Sequence, residues 1–188
     1  MVTVRVPATP VGVAVRELFS RLVERLGLRQ TLKVYLAGGM AVYFYVGKRV
    51  SRDLHAEFGT RVLLPSDLAV EIEGEEPVYF DTNFNPMFAL VHENYQRDAV
   101  PVELGVDHID LRLLSPVDLA VSKIARFADV DREDITSLVQ AGLTDAAAIA
   151  QRAREAATAY IGNPADIRHK IELAVALAVR ARPGPPSR

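Results

Sequence analysis

A change of pattern at Ser115-Pro116-Val117-Asp118 limits the fold more than any other feature of this chain. Upstream, apolar residues come in short runs broken by Gly, Pro, Asn and Asp; downstream they recur at helical spacing. Ser115 offers a capping hydroxyl, Pro116 suits the first helical turn, and Asp118 puts negative charge where backbone N–H groups lack partners. Asn163-Pro164-Ala165-Asp166 repeats this start signal, and Thr144 is the expected cap of the alanine-rich helix in between. The pattern predicts an α+β chain with a mixed sheet and flanking helices over residues 1–114, then a C-terminal four-helix bundle over 115–181 packed on it. The tail 182–188, with three prolines, is expected to be disordered.

Within the first part, Val15, Leu18, Phe19, Leu22 and Leu26 mark a helix that stops at Gly27. "KVYLAG" reads as a buried strand, and Gly38-Gly39 turn it into "MAVYFYV", a second helix ended by Gly47. "SRDLHAEFG" alternates, with Leu54, Ala56 and Phe58 on one face and Asp53, His55 and Glu57 on the other. "DLAVEIE" and "PVYFDT" flank "GEE" as a hairpin. "NPMFALVHENY" is expected as a short helix, and "VPVEL" with "HIDLRLL" as a strand pair around "GVDH".

Composition narrows the function classes. The chain has 188 residues, 49% of them hydrophobic, enough to bury a core. A net charge of -2 gives no overall field toward nucleic acid or an anionic membrane. With no cysteine, any metal falls to carboxylates or to the four histidines. No apolar run approaches the ~18 residues of a membrane span, and the N-terminus lacks a signal-peptide pattern. The chain therefore reads as soluble and cytoplasmic, with no membrane partner.

Four features then bear on chemistry. Gly38 and Gly39 sit at a strand-to-helix turn, where backbone N–H groups can receive phosphate oxygens. Asp53 and its same-face neighbours His55 and Glu57 can hold a metal. Asp81, closing "VYFD", is the best further carboxylate, with Glu103 as its substitute. Lys123 in "DLAVSKIARF" supplies a cation for phosphate charge. Nucleotidyl transfer needs such a set, because the attacking oxygen and the leaving pyrophosphate must both be stabilised, usually by two magnesium ions on carboxylates.

"LAGGMAVYFYVGKRVSRDLHAEF" resembles the front of the nucleotidyltransferase-like superfamily: Gly-Gly or Gly-Ser, a gap, then an Asp-apolar-Asp pair. "LSPVDLAVSKIARFADVDREDI" resembles the lysine helix and following acidic helix of its abortive-infection toxin branch. "FDTNFN" and "FALVHENY" resemble stretches of a bacterial group in that superfamily with no assigned substrate; the likeness spans roughly residues 30–165. It implies Gly38, Gly39 and Ser51 as nucleotide contacts, Asp53 and Asp81 as metal ligands, and Lys123 as a phosphate or acceptor contact. Asp134, or else Asp131, would match the acid after the lysine helix. The implied cofactor is Mg2+ or Mn2+, the substrate a nucleoside triphosphate (NTP), and the acceptor RNA or protein, in a toxin–antitoxin or phage-defence setting with a cognate antitoxin or other partner protein.

One position departs from the family pattern. His55 stands where the second strand carboxylate belongs, and imidazole offers one nitrogen where a carboxylate can bridge two ions. Glu57 is about 6.6 Å farther along the strand, too far to replace it. This leaves a second expectation, a catalytically degenerate chain kept as a binding or regulatory partner, and a third, a metal-dependent hydrolase using Asp53 and His55. Plainer roles stand beside each of these. Gly38-Gly39 can be a tight turn, Asp53, His55 and Glu57 a solvated edge face, Asp81 an Asx turn, and Lys123 an exposed helix lysine. Asp131 to Asp134 can be a helix-start acidic cluster, and the arginines of the first helix a solvated face.

Overall fold

A computed structural model describes residues 3–182, which form two compact units: 3–84 with 98–114, and 85–97 with 115–182. The tail expected to be disordered lies, from residue 183 on, outside the described residues. The fold is mixed α+β, with a seven-stranded mixed sheet and six α-helices among the described residues.

The first unit is built on the sheet. Its strands are β1 (Val4–Arg5), β2 (Leu32–Ala37), β3 (Asp53–Phe58), β4 (Ala69–Ile72), β5 (Glu75–Phe80), β6 (Val100–Glu103) and β7 (Ile109–Leu113), in the spatial order β1-β6-β7-β2-β3-β5-β4. Central β2 is buried at every position but Lys33, as expected of a strand covered on both faces. It runs parallel to β7 and antiparallel to β3, while β3 runs parallel to β5. The hairpin read around "GEE" is β4–β5, turning at Gly74 with φ 74°, a conformation glycine adopts without strain.

Two helices complete this unit. Helix α1 (Pro10–Leu26) starts where the Thr9 hydroxyl accepts from Gly12 N–H and stops at left-handed Gly27. Its stripe of Val11, Val15, Leu18, Phe19 and Leu22 is buried, and Phe19 meets Phe80 of β5 edge-on at 5.3 Å. Helix α2 (Gly38–Val46) follows β2 directly and ends at left-handed Gly47. It buries Gly38 through Phe44 without a break, so hydrophobic burial rather than an amphipathic stripe holds it.

The second unit holds α3 (Pro116–Ser122), α4 (Asp129–Gln140), α5 (Ala146–Ala157) and α6 (Pro164–Ala181). Leu119, Ile124, Ile135, Leu138, Ile149, Ala153 and Ala174 are wholly buried in its core. Ser115 and Asn163 cap α3 and α6 as their sequences predict. The cap of α5 differs: the Asp145 carboxylate, not Thr144, accepts from Ala148 N–H at 2.8 Å. Asp145 lies at the position whose side chain can reach the third helical amide, and the adjacent Thr144 Oγ1 is left buried without a partner among the described residues.

Residues 85–95 also depart from expectation. Instead of a helix they form one 3-10 turn, Pro86–Phe88, capped by Asn85, and then irregular turns. Local side-chain bonds compete with the helix: Asn94 N–H donates to His92 Nδ1 at 3.1 Å, and Leu90 is anchored fully buried.

Candidate metal and nucleotide site

Three neighbouring strands place the predicted residues. The β2–β3 register sets Ala37 opposite His55, so the Gly38-Gly39 turn lies beside β3. The parallel β3–β5 register pairs Asp53 with Tyr79 and Leu54 with Phe80, and Asp81 N–H continues it by donating to Leu54 O at 3.0 Å. Asp81 thus stands level with His55. Alternation along β3 sends Leu54 fully into the core and leaves Asp53 and His55 on the other face.

The result is a cluster of Asp53, His55 and Asp81, each half-buried, whose donor atoms all lie within 4.8 Å of one another. His55 Nε2 is 3.0 Å from Asp53 Oδ2 and 3.3 Å from Asp81 Oδ2. Ser51 Oγ donates to the other oxygen of Asp53. The hydrogen bond from His55 holds the Asp53 carboxyl well below the usual carboxylate range; partial burial opposes this, and Ser51 adds to it. Asp53 is therefore a persistent anion, suited to ligating a cation and poorly suited to accepting a proton.

Asp81 forms the Asx turn read for it and also faces His55. Its Oδ1 accepts from Asn83 N–H at 2.9 Å in an Asx turn, while Oδ2 faces the imidazole. The same turn delivers a residue that the sequence reading missed. The Phe84 ring stacks on His55 with centroids 4.8 Å apart and planes 11° from parallel. An aromatic three residues beyond an Asx-turn aspartate was the available signal.

Both glycines have a packing reason to be small. Gly38 has φ 72°, and a Cβ built on it would lie 2.6 Å from His55 Nδ1. A Cβ on Gly39 would lie 2.9 Å from Ser51 Cβ and 3.0 Å from an Arg49 guanidinium nitrogen. Helix α2 also begins at Ala37, whose own side chain cannot cap its first-turn N–H groups.

The remaining candidates lie apart from this cluster. Glu103, the substitute carboxylate, is on β6 in an ion pair with Arg5 at 3.1 Å. Glu57 is on the same β3 face but outside the set that can share one ion.

Lys123 belongs to the second unit and is not the exposed lysine of the plainer reading. It is only 7% exposed, and its ammonium lies 2.8 Å from Asp134 and 3.7 Å from Asp131. Asp131 also takes a bidentate contact from Arg126 at 2.7 and 2.8 Å and accepts from Ala128 N–H. A second buried pair, absent from the sequence reading, joins Asp118 to Arg152 at 2.7 and 2.9 Å.

As chemistry, the cluster offers two carboxylates and one imidazole nitrogen to a single cation. It has no carboxylate at position 55 to bridge two ions, so the donor set fits one divalent ion. No helix among the described residues is long and apolar enough to cross a membrane.

Residues 25–175 match the family described as nucleotidyltransferase of unknown function (DUF6036). Neither the curated proteins nor the solved structures give a match.

Proposed function

Because the chain belongs to this nucleotidyltransferase family, we propose that it binds an NTP with a divalent ion at the Asp53–His55–Asp81 cluster and transfers the nucleoside monophosphate to a hydroxyl of RNA or protein. One observation carries the reading: the metal-ligating atoms gather beside a glycine turn whose following helix starts at an alanine that cannot cap it. The first-turn N–H groups of α2 receive phosphate oxygens of the NTP, and Gly38 and Gly39 let His55 and Ser51 pack close against that turn. Asp53, His55 and Asp81 hold a magnesium or manganese ion, which would neutralise charge developing at the α-phosphate. The acceptor oxygen bonds to the α-phosphorus, the bond from that phosphorus to the departing pyrophosphate breaks, and the hydroxyl proton leaves to solvent. His55 Nε2 gives up its proton, and with it the hydrogen bond to Asp53, on ligating the ion, while Asp53, already ionised, binds without losing a proton. The phosphate role expected of Lys123 is left out, since Asp134 and Asp131 already take up its charge. The setting we propose is cytoplasmic, in a toxin–antitoxin or phage-defence pair, on the likeness of the α3–α4 sequence to the abortive-infection branch.

A second reading rests on His55 itself. An imidazole in place of a bridging carboxylate weakens a two-ion site, which favours a degenerate member acting as a binding or regulatory partner. Transfer of label from α-phosphate-labelled ATP, CTP, GTP and UTP separates the two readings. It is run with magnesium or manganese, against total RNA and against the protein itself, beside Asp53→Ala and His55→Asp. Label incorporated by the wild type and lost in Asp53→Ala supports transfer and identifies the base and acceptor class. Label seen only in His55→Asp supports the degenerate reading. Wild-type label that survives in Asp53→Ala sinks the assignment of this site.

A further inference from the structure

The imidazole of His55 is held on three sides. Its Nε2 edge faces two carboxylates at 3.0 and 3.3 Å. One face is covered by Phe84 at 4.8 Å and 11°. Its Nδ1 edge occupies the space that any side chain at position 38 would need, 2.6 Å from where a Cβ would stand. A histidine that merely fills the place of a lost carboxylate needs no such enclosure, whereas a metal ligand must arrive with its ring orientation fixed.

From this enclosure we propose that His55 is a built metal ligand, that the centre takes one first-row transition ion in preference to magnesium, and that Phe84 is the positioning residue that fixes the ring. The inference rests on the metal reading of the cluster given above and narrows it to a class of ion. Magnesium demands near-ideal oxygen coordination and gains little from a nitrogen donor. First-row transition ions bind nitrogen more strongly, in an order that rises from manganese toward zinc and copper. Imidazole also carries one lone pair at the coordinating nitrogen, so it serves one ion and cannot bridge two. The Asx turn at Asp81 links the parts: one turn of backbone supplies both the third ligand and the ring that stacks on the second.

The test is metal binding without nucleotide or turnover. Mn2+ is titrated into the full chain and followed by loss of the free-ion electron paramagnetic resonance signal, with Mg2+ and Zn2+ as competitors. For the wild type we expect one Mn2+ per chain, displaced by Zn2+ at lower concentration than Mn2+ itself, and by Mg2+ only at about 100-fold excess or more. His55→Asp should let Mg2+ compete at concentrations comparable to Mn2+. Phe84→Leu, which keeps an apolar side chain in the turn, should weaken Mn2+ about 10-fold while leaving Mg2+ competition unchanged in absolute terms. If ion preference is the same in wild type and His55→Asp, the inference is overturned and the metal reading stands. If no ion binds, or Asp53→Ala binds as the wild type does, both fall.

Discussion

Replacing Gly38 by alanine tests whether the glycine turn exists for the sake of His55. The structure gives two separate costs. At φ 72° an L-residue is left-handed, which costs about 1–2 kcal/mol. The new Cβ would also lie 2.6 Å from His55 Nδ1, 2.9 Å from Cγ and 3.2 Å from Cβ, all well inside contact distance. Two of those atoms are at the root of the side chain, so swinging the ring tip does not relieve them. Pushing the imidazole off its rotamer adds about 0.5–1.5 kcal/mol. Gly38→Ala should therefore destabilise by about 1.5–3.5 kcal/mol in total. In a His55→Ala background the two ring contacts are gone and only the backbone cost and the 3.2 Å contact with Cβ of residue 55 remain, so the same change should cost about 1 kcal/mol less there. Urea unfolding followed by far-UV circular dichroism measures both costs. Hydrogen exchange at the amides of β2 and β3 attributes the loss to this unit. A cost below about 0.5 kcal/mol, or one that is identical with and without the His55 ring, would refute the packing argument.

Three further substitutions test the helical unit. Burial pushes the Asp131 carboxyl up, but the Arg126 guanidinium, the Ala128 amide and Lys123 outweigh it and hold the carboxyl below its ordinary value. The folded chain then gives up that proton more readily than the unfolded chain. Its stabilisation is complete above the ordinary carboxylate range near pH ~4 and is lost as pH falls through the lower folded value. Urea midpoints taken between about pH 5 and pH 2 should fall less steeply in Asp131→Asn than in the wild type, and parallel curves would contradict this. At the start of α5, Thr144→Val removes a buried hydroxyl without a partner and should stabilise by about 1 kcal/mol, while Asp145→Ala removes the cap and should cost about 1 kcal/mol. Thermal unfolding reads both, and the opposite order would restore Thr144 as the cap.

What the sequence determined by itself was local. The Gly27 and Gly47 stops, the caps at Ser115 and Asn163, and the β4–β5 hairpin follow from residues that touch their chain neighbours. So does the placing of Asp53 and His55 on one strand face, because the two-residue period of a strand needs no partner to be legible. Even locally there were errors where two neighbours compete. Thr144 and Asp145 both suit a cap, and one residue of register chose between them. Residues 85–95 carry a helix-compatible pattern, yet side-chain bonds within the segment and the burial of Leu90 set its course.

What only the tertiary structure decided was which distant residues meet. Asp81 reaches His55 because β3 and β5 run in parallel with one particular register, and a register is fixed by a whole sheet rather than by either strand. Phe84 is marked in sequence only by standing three residues beyond an Asx-turn aspartate, and the sheet register is what brings it to the imidazole. Lys123 sits at the edge of an apolar stripe in sequence, and only the packing of the second unit buries it against Asp134 and Asp131. Hydrogen bonds between near neighbours are set by composition and spacing. The company a buried charge keeps is set by the closure of the core around it, because an unpaired charge cannot stay there.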